Sequence, residues 1–149
     1  MNEQITQADH LLLTALRSVR SASGPCPCLF RLYGDHFKRD AGTLLGSIFA
    51  FEQLLRFMPN HQVHLHPVDS TVQSSDEMTI IYCMSCTQSN DQMQTCDQFR
   101  RHFNVTLPQM LSDLFEDIAL MFEHHNMAFS STLPPLKIAS VAHLSETIH

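Results

Sequence analysis

The sequence predicts an α+β domain: an antiparallel sheet with helices packed on one face, in the ferredoxin-like β-α-β-β-α-β order with an extra N-terminal helix. Three observations carry this reading. Cys28–Tyr33 places Cys28, Phe30 and Leu32 on one face and Leu29, Arg31 and Tyr33 on the other, and His61–Val68 sets Val63 and Leu65 against His64 and His66, as strands do. Met78–Met84 is a nearly continuous apolar run rich in β-branched and aromatic residues, which suits a strand covered on both faces. Asp40–Met58 carries apolar residues at the three-and-four spacing of a helical face.

Thr6 is placed to cap a first helix, with Asp9 completing a capping box. Ile5, Ala8, Leu12, Ala15, Leu16 and Val19 form its apolar face, and Arg17 and Arg20 complement the dipole at its end. Ser21–Pro27 holds a glycine and two prolines, which break the helix. The first strand, Cys28–Tyr33, follows.

Asp40–Met58 is the expected central helix, with Asp40 as N-cap and Pro59 as stop. Its stripe runs through Ala41, Leu44, Leu45, Ile48, Phe51, Leu55 and Met58. Phe49, Ala50 and Leu54 widen it, so the helix should be mostly covered. Gly42 and Gly46 share one side. Each costs about 1 kcal/mol against alanine, and close approach of another backbone is the expected compensation.

His61–Val68 and Met78–Met84 are expected to pair as antiparallel strands, and Gln92–Phe103 to be helical. Thr106 should cap the last helix, with Pro108 in its first turn and Val105 and Met110 as a hydrophobic staple. Its inner face is Leu107, Met110, Leu111, Leu114, Phe115, Ile118 and Phe122, and Asn126 can take a left-handed cap. Residues 136–144 read as a last strand. The whole of 1–149 reads as one domain, with 1–5 and 145–149 as mobile tails.

Composition narrows the function. Net charge is −6 with histidines neutral, and the basic residues are scattered, which argues against nucleic-acid binding. No run is long and apolar enough to span a membrane, and no secretory signal is visible at the start, so a cytoplasmic location is expected. Charged residues are only 16% of the chain, below the usual quarter, while apolar residues reach 44%. Part of such a surface should be covered by a partner. Glycine-rich phosphate loops and nucleophile elbows are absent from the sequence.

Cys83-Met84-Ser85-Cys86 is a CxxC, and Cys96 and His102 follow. The four could hold zinc, because thiolate and imidazole are the ligands zinc prefers. The plainer reading is buried free thiols, since free cysteine is among the most buried residue types. Redox exchange at the CxxC is a further alternative. All five cysteines are expected as free thiols, as in a cytosolic protein. His61, His64 and His66 form a second cluster that Asp69 could complete as a metal set, although surface histidines need no ligand.

The leading functional expectation is a non-catalytic interaction domain, an adaptor, regulator or secretion-chaperone-like protein, acting as a homodimer. Its partner surface should include Asp113, Glu116, Asp117, Leu120 and Met121 on the last helix, with Phe99–Phe103 drawn into the interface. The alternatives are a metal- or redox-responsive regulator using Cys83 and Cys86, and an enzyme of unknown type.

Overall fold

The computed structural model describes residues 5–21, 24–59 and 61–133. Among the described residues all regular structure is helical, with no strand. The helices are α1 (Gln7–Arg20), α2 (Pro27–Phe37), α3 (Ala41–Arg56), α4 (Ser75–Gln88), α5 (Gln92–Phe103) and α6 (Gln109–His124). A 3₁₀ turn, Lys38–Asp40, joins α2 to α3. The last strand expected at 136–144 and the tail at 145–149 lie outside the described residues.

The fold is therefore a helical bundle, and the α+β prediction is overturned. α4 packs on α5 and α6, α6 packs on α3, and α3 is flanked by α1 and α2. Aromatic rings fill the seams. Phe51 meets Phe115 edge-on at 4.9 Å, and Phe37 meets Phe122 at 5.1 Å. Asp40, at the start of α3, meets His125 at the end of α6, while Phe51 further along α3 meets Phe115 nearer the start of α6, so α3 and α6 lie antiparallel. Leu45, Ile48, Leu55 and Ile118 are buried, as the helical stripes imply, Ile80 is buried on α4, and Leu114 is half-buried.

Each missing strand has a physical reason. Leu29, Tyr33 and Phe37 are spaced by four and form the buried face of α2. Pro27 at its first turn is a helix-start signal, and the short alternation over Cys28–Tyr33 masked it. Met78–Met84 is the middle of α4, where Ile80, Ile81, Cys83 and Met84 are all buried. A helix covered on every side shows no amphipathic period, so the apolar run alone does not separate it from a strand. The decisive local signal is upstream: Ser74 and Glu77 form a complete capping box.

His61–Val68 is extended but pairs in no ladder among the described residues. Side chains of α1 and α4 satisfy its main chain instead. Arg20 donates to the Val63 carbonyl at 2.8 Å, and Ser74 Oγ donates to the His64 carbonyl at 2.7 Å. The His64 N–H donates to Asp76 at 2.6 Å and the His66 N–H to Glu77 at 3.1 Å.

Elsewhere the capping box of Thr6 and Asp9 forms as expected, and α5 has the predicted bounds. Asn126 takes the left-handed conformation. Thr106 does not cap α6; Pro108 is the N-cap residue and no side chain caps it. Met110 is exposed, so the staple with Val105 is not made. Asp40 makes no cap bond either, and its carboxylate lies 2.9 Å from His125 Nε2. Gly42 and Gly46 are exposed, and a Cβ on either would meet nothing within 4 Å. The backbone approach expected there is not made among the described residues.

Candidate metal centre

The Ser74 capping box fixes the start of α4, which places Asp76 in its first turn, where a carboxylate is favoured by the helix dipole. Asp76 points at two imidazoles. His102 Nε2 lies 2.6 Å from its Oδ1, and His61 Nε2 lies 3.2 Å from its Oδ2 and 3.3 Å from Oδ1. His102 comes from the last turn of α5, and His61 from the extended segment before α4. Their ligand atoms lie within 4.8 Å of one another. Among the described residues this is the only group of three or more His, Cys, Asp or Glu that converges in this way.

The surroundings suit a charged centre on an apolar wall. Both rings stand edge-on to Phe103, His61 at 5.0 Å and His102 at 4.7 Å. The Asp76 and His102 side chains are 8% and 6% exposed, whereas His61 is 28% exposed, so the group opens to solvent on the His61 side. Burial alone would raise the Asp76 carboxyl. Hydrogen bonds with His102, the His64 backbone N–H and His61 outweigh that and hold it down at about 2. The carboxylate is therefore ionised at neutral pH, the form that binds cations. Oδ2 is clamped by the His64 N–H, which orients Oδ1 as a supporting hydrogen bond does at a metal site. Among the described residues His102 Nδ1 is buried without a hydrogen-bond partner, the energetic cost of this arrangement.

Among the described residues the ligand set read from the sequence, Cys83, Cys86, Cys96 and His102, is not gathered into one converging group. Cys83 and Cys86 sit on α4 and Cys96 on α5, while His102 is engaged by Asp76. Burial pushes the Cys83 and Cys86 thiols up, which opposes the thiolate that zinc requires. The Cys83 thiol contacts the Thr95 carbonyl at 3.7 Å. His61 belongs to the centre, but His64 and His66 meet edge-on at 5.0 Å, and Asp69 is an exposed loop residue. Asp76, the residue that joins the group, is the member that the sequence does not reveal. Its separation from His61 and His102 leaves no spacing motif, and its only local signal is its place behind the Ser74 cap.

The cysteine expectation needs one correction. Cys26 and Cys28 are joined by a disulfide, and Cys83, Cys86 and Cys96 are free. Of the expected partner surface, Asp113, Glu116, Asp117 and Leu120 are exposed and Met121 is half-buried. Phe99 and Phe103 are fully buried in the monomer and are core residues. No helix of the described residues is long and apolar enough to cross a membrane.

No protein-family model, curated protein or solved structure matches the chain.

Proposed function

We propose that the protein is a metal-responsive regulatory domain that binds one divalent transition-metal ion, zinc foremost, through His61, Asp76 and His102. The convergence of two imidazole Nε2 atoms and an ionised carboxylate within 4.8 Å carries this reading. Two nitrogens and one oxygen are a donor set that zinc accepts, with water completing four-coordination on the open side. The three ligands come from the extended segment, α4 and α5. An ion held by all three ties that segment to the bundle, so occupancy is a means of ordering it. A cytoplasmic location belongs to the same proposal.

Zinc titration of chelator-treated protein by calorimetry tests this. One ion per chain is expected, and zinc at a hundredfold excess over Kd should stabilise the fold by about 2.7 kcal/mol. His61→Ala and His102→Ala should each weaken binding at least about 100-fold. Cys83→Ser with Cys86→Ser should leave it intact. Unchanged affinity in both histidine variants would overturn the assignment and leave Asp76 a structural clip.

A second reading, pairing of two copies of the chain, is supported by one face. Gly42, Gly46 and Ala50 form an exposed small-residue column on α3. Beside it, Thr43, Ser47, Asp117, Leu120 and Met121 line a groove between α3 and α6. Because α3 and α6 are antiparallel, an antiparallel α3 pair brings Lys38 and Arg39 of one copy toward the acidic Asp113 and Glu116 of the other. Light scattering decides it: a dimer mass that Gly46→Arg converts to monomer supports pairing, and a monomer mass across a hundredfold dilution removes it.

A further inference from the structure

Cys26 and Cys28 flank Pro27 at the start of α2, and their sulfurs are bonded. The bridge encloses a single residue, so it removes very little freedom from the unfolded chain and contributes little to folding stability. Cys28 is exposed and Cys26 partly so. A bond that is accessible and holds no distant segments together is suited to exchange rather than to stapling.

We propose that the Cys26–Cys28 disulfide is a reversible redox site that takes two electrons from an external dithiol, whether a small molecule or a protein carrying a dithiol pair.

The local structure sets the direction of attack. Cys26 is the N-cap residue of α2, and its Sγ accepts the Cys28 N–H at 3.1 Å. The first turn of α2 holds no acidic side chain. Negative charge on Cys26 Sγ is therefore stabilised by the helix N-terminus and by that N–H, which makes Cys26 the better leaving group. Attack on the exposed Cys28 Sγ follows. The thiolate of the incoming dithiol bonds to Cys28 Sγ as the Cys26–Cys28 bond breaks. The electron pair goes to Cys26 Sγ, which takes a proton from water.

The second thiolate of the dithiol then attacks its own sulfur in the mixed disulfide. That bond breaks, the electron pair passes to Cys28 Sγ, and a proton follows. The chain gains two electrons and two protons, and the dithiol leaves as a cyclic disulfide. Pro27 fixes its φ in both states, and the cap bond from the Cys28 N–H needs only the Cys26 sulfur, so α2 persists and the pair can close again. Phe30, 49% exposed one turn into α2, offers apolar surface beside the bridge for a protein dithiol to rest on.

The other cysteines supply the internal comparison. Cys96 is exposed but unbonded on α5, and Cys83 and Cys86 are buried on α4.

Full-length protein purified without reductant, then alkylated in denaturant, should show three reactive cysteines, rising to all five after reduction. Native protein should be reduced at the pair by millimolar dithiothreitol with no loss of helical signal, and should reoxidise when the dithiol is removed. In the reduced native protein Cys26 should alkylate about tenfold faster than Cys96 at neutral pH. Cys28→Ser should keep that fast thiol and Cys26→Ser should abolish it. Five reactive cysteines before reduction, reduction only after unfolding, or a Cys26 no faster than Cys96 would each overturn the proposal.

Discussion

Arg17 and Glu77 close a two-pronged ion pair between α1 and α4, with Nε 2.8 Å from Oε2 and Nη2 2.9 Å from Oε1. Both side chains are buried, at 7% and 0% exposure. The remaining Arg17 donors reach the Ser70 and Val72 carbonyls, and Glu77 also accepts the Ser74 and His66 N–H groups. The pair thus fastens the 61–74 segment as well as two helices. Burial raises the Glu77 carboxyl, but the Arg17 hydrogen bonds and the two backbone N–H groups prevail and hold it below its ordinary range.

Removing one partner leaves a buried charge without compensation. Arg17→Met should cost about 3–5 kcal/mol in urea unfolding. Arg17→Met combined with Glu77→Leu should cost less than the single change, because the stranded carboxylate is gone. A loss below about 1 kcal/mol for Arg17→Met would show that the pair does not hold α1 to α4.

Gly42 and Gly46 have open space where a Cβ would stand. At concentrations where the chain is monomeric, Gly42→Ala and Gly46→Ala should each stabilise α3 by about 0.5–1 kcal/mol. Thermal unfolding reads this as a rise of a few degrees. A fall in Tm under those conditions would show that a Cβ at these positions does meet a neighbour within the chain.

Asp76 sets a pH dependence for the metal-free protein. Its folded carboxyl sits at about 2 against an ordinary 3.8. A depressed carboxyl stabilises the fold above the unfolded value and loses that contribution as pH falls through the folded one. In chelator, stability should therefore decline between about pH 4 and pH 2 by about 2 kcal/mol from this group. Asp76→Asn should flatten that part of the profile. An unchanged profile in the variant would count against the hydrogen bonds described for this carboxylate.

Leu45 is 1% exposed at the centre of α3. Leu45→Ala should cost about 2–5 kcal/mol in denaturant unfolding, the range for a buried leucine whose cavity closes only in part.

Local rules made part of this structure readable. α1, α3, α5 and α6 and most of the core stripe were legible from breakers and the three-and-four spacing, which lie within a few residues. Individual caps were less secure: Thr6 caps α1, but Asp40 and Thr106 make no cap bond. The all-helical class did not follow. α4 is buried on every side, so its apolar run carried no period, and the alternation over Cys28–Tyr33 was too short to outweigh Pro27.

The residues alone indicate which segments must be buried, where the chain must turn, and that His61 and His102 carry metal-ligating chemistry. That they meet at Asp76 follows only from how the helices pack. The same packing decides that His61–Val68 forms no sheet, because Arg20, Ser74, Asp76 and Glu77 satisfy main-chain groups there that a second strand would otherwise pair. Hydrogen bonds between distant segments have no period and no spacing. They exist only once helix packing has brought α1, α4 and α5 around the same stretch of chain.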